Sequence, residues 1–477
     1  GVMVLAFCCA AFARADIRRV PESYPTIQAA IDVSFAGDIV EVGPGVWAES
    51  INSGGRAITV RSVEGPDLTV IDPVSGRCFT ATGQETALAR LEGFTLRGGS
   101  ATRGGGVYVE SSSPVIANCV ITGNSATDYE SGGGVYVASG GPKLVGCTVS
   151  LNTGVGNGGG VYVASGSLVL ESCSVTGNSL SYQYDSRGGG IYVASTNSGV
   201  TVTGGEVRGN TAGIGGGIYG GSLAISGCAV ADNGAVYGGG AGGGGICGSV
   251  VTITGGSVSG NTSAAAGGGL SSVTGQVSGC SIAGNTSVGN GGGVWSQGSL
   301  TLSSCSIELN DSGSYGGAWY KNGGTASLQN SQVRNNAATT VGGVWVQAGG
   351  LSVGGTLFCG NGVNINGTYT NGAGNIFQGA CDGSGSVTRH VPSEYATIQS
   401  AIDASYSGDV VEVAPGTYAE GLNFGGRAIT VRSTGGAAVT VVDPASGRCF
   451  TATGQKGPSA RLEGFTLRGG SATRGGG

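Results

Sequence analysis

The chain has 477 residues, 101 of them glycine, with only 10% charged residues and a formal net charge of -6. With no basic footprint, nucleic acid is excluded as the partner. Glycine at this level without a period would mean disorder, but here it recurs among Val, Ile and Leu, so one long solenoid suits the length better than several ordinary domains.

In chain order, residues 1–15 come first: an apolar run ending in Ala13-Arg14-Ala15, an A-x-A cleavage signature ahead of Asp16. The run is too short to span a bilayer and is read as a signal peptide lacking its basic start, which makes the protein secreted or displayed on the cell surface. Cys8 and Cys9 do not make a lipid anchor, because Phe7 stands where a small residue should precede the cysteine. No other stretch is a membrane-span candidate. Next comes "TIQAAID", where Ile27, Ala30 and Ile31 have the i, i+3, i+4 spacing of a short helix that Gly37-Asp38 would end.

From Gly104 onward a double or triple glycine followed by an apolar residue recurs ten times, as in "GGGVYV" at Gly132 and Gly158, in steps of about 24 to 30 residues. The segments between alternate. In "GSLTLSSCSIELN", Leu300, Leu302, Cys305 and Ile307 face one way, and Thr301, Ser306 and Glu308 the other. Short alternating strands separated by Gly, Asn and Ser describe one coil of a β-solenoid. Counterparts in successive parallel coils sit about 4.8 Å apart, so one sequence position becomes a column. Asn124, Asn152, Asn178, Asn210, Asn233, Asn261, Asn285, Asn310 and Asn335 are expected to form such a column at a turn, tolerating left-handed backbone and bonding through their amides.

Five residues earlier, Cys119, Cys147, Cys173, Cys228, Cys280 and Cys305 form a second column of small core side chains, with Gly205, Gly256 and Asn330 at the matching place in other coils. No metal site is expected, because C-x-x-C pairs are missing and His390 is the single histidine. Cys359 and Cys381 bracket a Gly/Asn-rich segment at the end of the coils and are the disulfide candidates of an exported protein. Finally, Tyr24 to Gly106 returns without a gap as Tyr395 to Gly477, including "RLEGFTLRGGSATRGGG" unchanged. A second solenoid is therefore expected from Arg389, truncated as its first glycine-rich coil begins. The resulting division is 1–15, 16–103, 104–388 and 389–477.

"TIQAAID", "GDIVEVGPGVWAE" and the GGG/C-x-V-x-x-N coils resemble the right-handed parallel β-helix proteins of the pectin-lyase-like superfamily, and within it secreted bacterial proteins with polymorphic outer membrane protein-like repeats. The resemblance implies an all-β right-handed parallel β-helix (solenoid) in which "TIQAAID" caps the first coil. Chemistry does not follow from it, since the superfamily holds lyases, hydrolases, esterases and proteins without a reaction. The polygalacturonase N-T-D-G, the methylesterase D-F-I-F-G and the pectate lyase W-x-D-H and R-x-P-x-x-R segments are absent.

Two surfaces are candidates for function. The residue after the aliphatic in each glycine phrase gives Tyr108, Tyr136, Tyr162, Tyr192, Tyr219, Cys247, Ser271, Trp295, Trp319 and Trp345. Flanked by inward valines these point outward, as a ladder on which sugar rings would stack or which merely shields the sheet. The loops before the glycines give a notch roughly 10 Å across, where the long loops 125–131 and 179–187 flank the short 153–157. It would be lined by Asp128, Tyr129, Glu130, Tyr182, Tyr184, Asp185 and Arg187. A lyase would use Arg187 as base beside an acidic sugar and Ca²⁺, a hydrolase Asp128 and Asp185, and otherwise these residues only solvate loops. The expected protein is a monomeric, non-catalytic surface β-helix that binds polysaccharide or mediates adhesion, without a cofactor. A polysaccharide lyase or glycoside hydrolase is the alternative, and a structural spacer the third reading.

Overall fold

The computed structural model describes residues 15–477 except 183, 240–241, 379–380, 382–387, 404, 406–408, 426–428, 452–459 and 472–477. Residues 1–14, which hold the signal-peptide segment with Cys8 and Cys9, lie outside the described residues. The chain is an all-β parallel solenoid and divides at Phe377/Gln378 into two compact units. This division precedes Arg389, because Thr370–Asn371 and Ile376–Phe377 still pair with the last coils of the first unit.

In the first unit the coils build parallel sheets of 24, 14 and 10 strands. One coil supplies Val135–Val137 and Lys143–Val145 to the largest sheet, Thr148–Ser150 to the second and Thr153–Gly154 to the third. Each strand is short because only its alternate apolar residues enter the narrow interior. Val135, Val137, Leu144 and Val149 are fully buried there. Stacking repeats this burial at every level, which is how a chain so rich in glycine keeps a core.

The Cys-to-Asn spacing has a backbone origin. From Thr95–Arg97 to Leu357–Cys359, the three-residue strands of the second sheet are bounded on each side by a residue with positive φ. One precedes the cysteine (Asn118, Gly146, Ser172) and the other precedes the asparagine (Gly123, Leu151, Gly177). Cysteine, three strand residues, one left-handed residue and asparagine account for the spacing of five. The left-handed residue is thus the asparagine's neighbour, and the asparagine itself serves as a buried amide. From Asn124 to Asn361 each Nδ2 donates to the next Oδ1 at 2.9–3.0 Å.

Two expected column members are corrected. Asn336, not Asn335, continues the ladder from Asn310, while Asn335 is exposed with φ +50°. Ser331, not Asn330, takes the cysteine's place, its Oγ accepting from Cys305 N at 3.1 Å. Both errors are one-residue slips in "QNSQVRNN", where adjacent asparagines compete for one column and backbone register decides.

Near the start, helix α1 (Ile27–Asp32) packs on strands Ile17–Val20, Ile39–Val42 and Ile51–Asn52, burying Ile27, Ala30 and Ile31. Thr26 Oγ1 accepts from Ala29 N, and the Glu49 carboxylate accepts from Ile27 N and Gln28 N at 2.8 and 3.0 Å. The helix ends at Asp32, ahead of Gly37-Asp38, where Ser34 Oγ donates to the Ala30 carbonyl at 2.7 Å. Asp38 is buried and ion-paired to Arg18 at 2.6 Å.

The second unit, taken by itself, repeats these devices: helix α2 (Ile398–Asp403), Glu420 on its first amides, and the buried Arg389–Asp409 pair at 2.6 Å. Among the described residues, no helix is long and apolar enough to cross a membrane.

Candidate functional site

The register of the largest sheet places Tyr108, Tyr136, Tyr162, Tyr192, Tyr219, Cys247, Ser271, Trp295, Tyr320 and Trp345 in one column. Trp319 is not in it. In "GGAWY" Ala318 occupies the place of the third glycine, so Trp319 pairs with Val294 and turns into the core, fully buried, with Nε1 donating to Ser296 Oγ at 2.8 Å. Tyr320 takes the column position.

The tyrosine faces of this ladder are already occupied. Successive ring centroids lie 5.5, 5.0, 4.9 and 5.6 Å apart from Tyr108 to Tyr219, and Tyr136 and Tyr162 are only 2% and 3% exposed. Arg77, Arg103 and Arg187 lie over Tyr108, Tyr136 and Tyr219 at 4.4, 5.6 and 5.2 Å. Burial pushes the Tyr136 and Tyr162 phenols up from their ordinary range. A ladder closed by its own stacking leaves no face for a sugar ring, so these residues stabilise the sheet surface instead.

The expected notch is filled. Tyr129 lies against Gly156 of the short loop, where a Cβ would sit 2.5 Å from its ring. Its Oη donates across to the Asp185 carbonyl at 3.5 Å, so the two long loops meet above the short one. The carboxylates are committed. Asp128 and Glu130 each pair with Arg103 at 2.9 Å, Asp185 pairs with Arg187 at 2.9 Å, and Asp128 also accepts from Tyr129 N.

Burial pulls the Arg187 guanidinium down, but Tyr219 and Asp185 beside it more than offset this and hold it above its ordinary value. Its ordinary state in the free protein is therefore the protonated guanidinium. Among the described residues, no three His, Cys, Asp or Glu side chains are grouped to hold a metal ion.

What the loops do present is a row of aromatic rings, three of them exposed and the fourth, Tyr237, half-buried. Tyr129, Tyr182, Tyr184 and Tyr237 follow one another with centroids 6.1, 6.2 and 6.0 Å apart. The first three are 44%, 47% and 69% exposed. Tyr237 is the member that sequence reasoning missed. Its signal is "GAVYGGG", which puts a tyrosine in the loop ahead of a glycine run as in "SATDYESGGG".

A separate hollow of about 570 Å³ lies on the outer face of later coils, lined by neutral side chains including Thr274, Gln276, Thr301 and Ser327. Several of its hydroxyls pair with one another, as Ser299 does with Thr325 at 3.2 Å and Ser352 with Ser327 at 3.2 Å.

Burial pushes the Cys78, Cys228 and Cys247 thiols up to about 12, which keeps these three chemically quiet. Cys359 and Cys381 are disulfide-bonded.

The fold and its surface define a parallel β-solenoid that carries a row of aromatic rings on its loops. In agreement with that class, the family model described as a right handed beta helix region matches residues 79–246. No curated protein matches the chain. Among solved structures, a mutant of a PL6 family alginate lyase is similar at 10% identity, covering 95% of this chain and 72% of its own, with a TM-score of 0.26.

Proposed function

We propose that this chain is a secreted or cell-surface β-solenoid that binds polysaccharide, in adhesion or retention, without cleaving it. The observation that carries this reading is the row Tyr129–Tyr182–Tyr184–Tyr237, whose rings, the first three exposed, follow the loop edge at near-equal spacing. Flat apolar rings repeated along one edge suit an extended chain of sugar rings, each adding a modest contact. Export is supported by the A-x-A segment at residues 13–15 and by the disulfide-bonded Cys359 and Cys381. The likeness of the coils to polymorphic outer membrane protein repeats is part of the same proposal, as is a monomer that works without a cofactor.

The test is retention of the protein on immobilised polysaccharides. Tyr182→Ala/Tyr184→Ala should lose retention with the fold intact, and unchanged retention would overturn the site. The catalytic alternative, a lyase or hydrolase acting through Asp128, Asp185 and Arg187 with Ca²⁺ in the lyase case, predicts shortening of a polymer on long incubation. Stable chain lengths across a broad panel are the expected result. Shortening that Asp185→Asn abolishes would replace the binding reading with the enzymatic one.

A further inference from the structure

We propose that the tyrosine row selects uncharged polysaccharides and turns polyanionic ones away, an inference that rests on the row being the glycan site. The loops around it, residues 100–103, 125–131, 153–157, 179–187, 211–214 and 234–242, contain two cations, Arg103 and Arg187, and three carboxylates, Asp128, Glu130 and Asp185. Neither cation is available to a ligand. Arg103 is clamped between Asp128 and Glu130 at 2.9 Å each, and Arg187 lies on Asp185 at 2.9 Å and over the Tyr219 ring at 5.2 Å.

A chain bearing a carboxylate or sulfate on each sugar must either sit beside these acids or displace them from their arginines. Displacement only exchanges one ion pair for another and leaves the displaced acid facing the incoming charge. Counting Arg77, which donates to the Arg103 carbonyl at 2.9 Å, the edge carries as many cations as carboxylates, so the repulsion comes from the carboxylates of Asp128, Glu130 and Asp185 beside the rings and not from a net charge. A neutral chain meets none of this, because its rings stack on tyrosine carbons and its hydroxyls carry no charge for the acids to oppose. A like-charge contact at about 6 Å in a partly screened site weakens binding by roughly tenfold, so an acidic chain spanning two such contacts would be held far more weakly than a neutral one.

The test measures retention of the full chain on neutral glucan and mannan against polygalacturonate and alginate, at low and high salt. It uses the wild type, Tyr182→Ala/Tyr184→Ala, Tyr182→Phe/Tyr184→Phe, and Asp128→Asn/Glu130→Gln/Asp185→Asn. The expected result is salt-insensitive retention on at least one neutral polymer, lost in the Ala pair and kept in the Phe pair, with no retention on polyanions. Freeing both guanidinium groups in the triple variant should create polyanion retention that is present at low salt and lost at high salt. Wild-type retention on a polyanion that the Ala pair abolishes would overturn the selectivity and leave the site standing. Retention on no polymer, or retention indifferent to the Ala pair, would overturn the site and the selectivity together.

Discussion

Replacing Asn336 by Ala should remove one rung of the buried amide ladder, while replacing its neighbour Asn335 by Gly should leave the ladder whole. The Asn336 side chain donates to Ile307 O and Asn361 Oδ1 at 2.8 and 3.0 Å, and accepts from Asn310 N and Asn310 Nδ2 at 3.1 and 2.9 Å, at 2% exposure. Truncation takes four hydrogen bonds and leaves the Asn310 amide without this acceptor. Allowing about 1–3 kcal/mol for the orphaned donor and smaller amounts for bonds whose partners keep another contact, the loss is about 3–5 kcal/mol. Asn335 is exposed, has φ +50°, and joins its neighbours through its backbone N–H to Cys359 O, which glycine keeps. Asn335→Gly should therefore stay within about 1 kcal/mol of the wild type. Because stacked coils unfold in segments, hydrogen exchange resolved along the chain is the better assay than one global midpoint, with protection falling around residues 307–361 in Asn336→Ala alone. Equal effects from the two substitutions, or a larger one at Asn335, would refute the register and with it the account of the ladder.

Tyr136→Ala should cost about 2–4 kcal/mol, seen as a lower urea midpoint, because the ring is buried between Tyr108 and Tyr162; its effect on glycan retention should not exceed what unfolding explains. Leu309→Gly should raise stability by about 1 kcal/mol in the same assay, since an exposed leucine held at φ +55° is relieved by glycine. Glu85 gives a pH test. Burial alone would push its carboxyl up, but hydrogen bonds from Ser112, Ser53 and Gly55 hold it below its usual 4.5. A depressed folded value contributes stability that is full above pH 4.5 and lost as pH falls through that value, so the thermal midpoint should drop on acidification below pH 4.5. Glu85→Gln should start lower at neutral pH and show a shallower fall over that acid range. An equally steep fall would remove Glu85 from the account.

The internal duplication makes part of this network readable in sequence. At the positions matching Ser53 and Glu85 the second copy carries Phe424 and Lys456, the latter outside the described residues. Phe424 is buried against Phe450 with ring centroids 4.9 Å apart, so a polar contact in one copy is an apolar contact in the other. Of the candidate site, Tyr129, Tyr182 and Tyr184 were legible because exposed aromatics in long polar loops are conspicuous. Tyr237 was hidden in a glycine tract.

By itself the sequence determined the solenoid, its inward valines, its cysteine and asparagine columns and their spacing. Parallel stacking repeats one local pattern at every coil, and a three-residue strand between two left-handed residues is a local matter. Only the tertiary structure decided which of two adjacent residues enters a column, as with Asn335 and Asn336 or Trp319 and Tyr320, because register is set by hydrogen bonds to the neighbouring coil across loops of unequal length. It also decided that Lys321 is fully buried, its ammonium donating to the Gly323, Gly324 and Ala348 carbonyls at 2.8–2.9 Å where the strand register shifts. The tyrosine ladder closed and the loop row stayed open for the same reason: exposure depends on what the next coil and the facing loop place against a ring, and no residue carries that information alone.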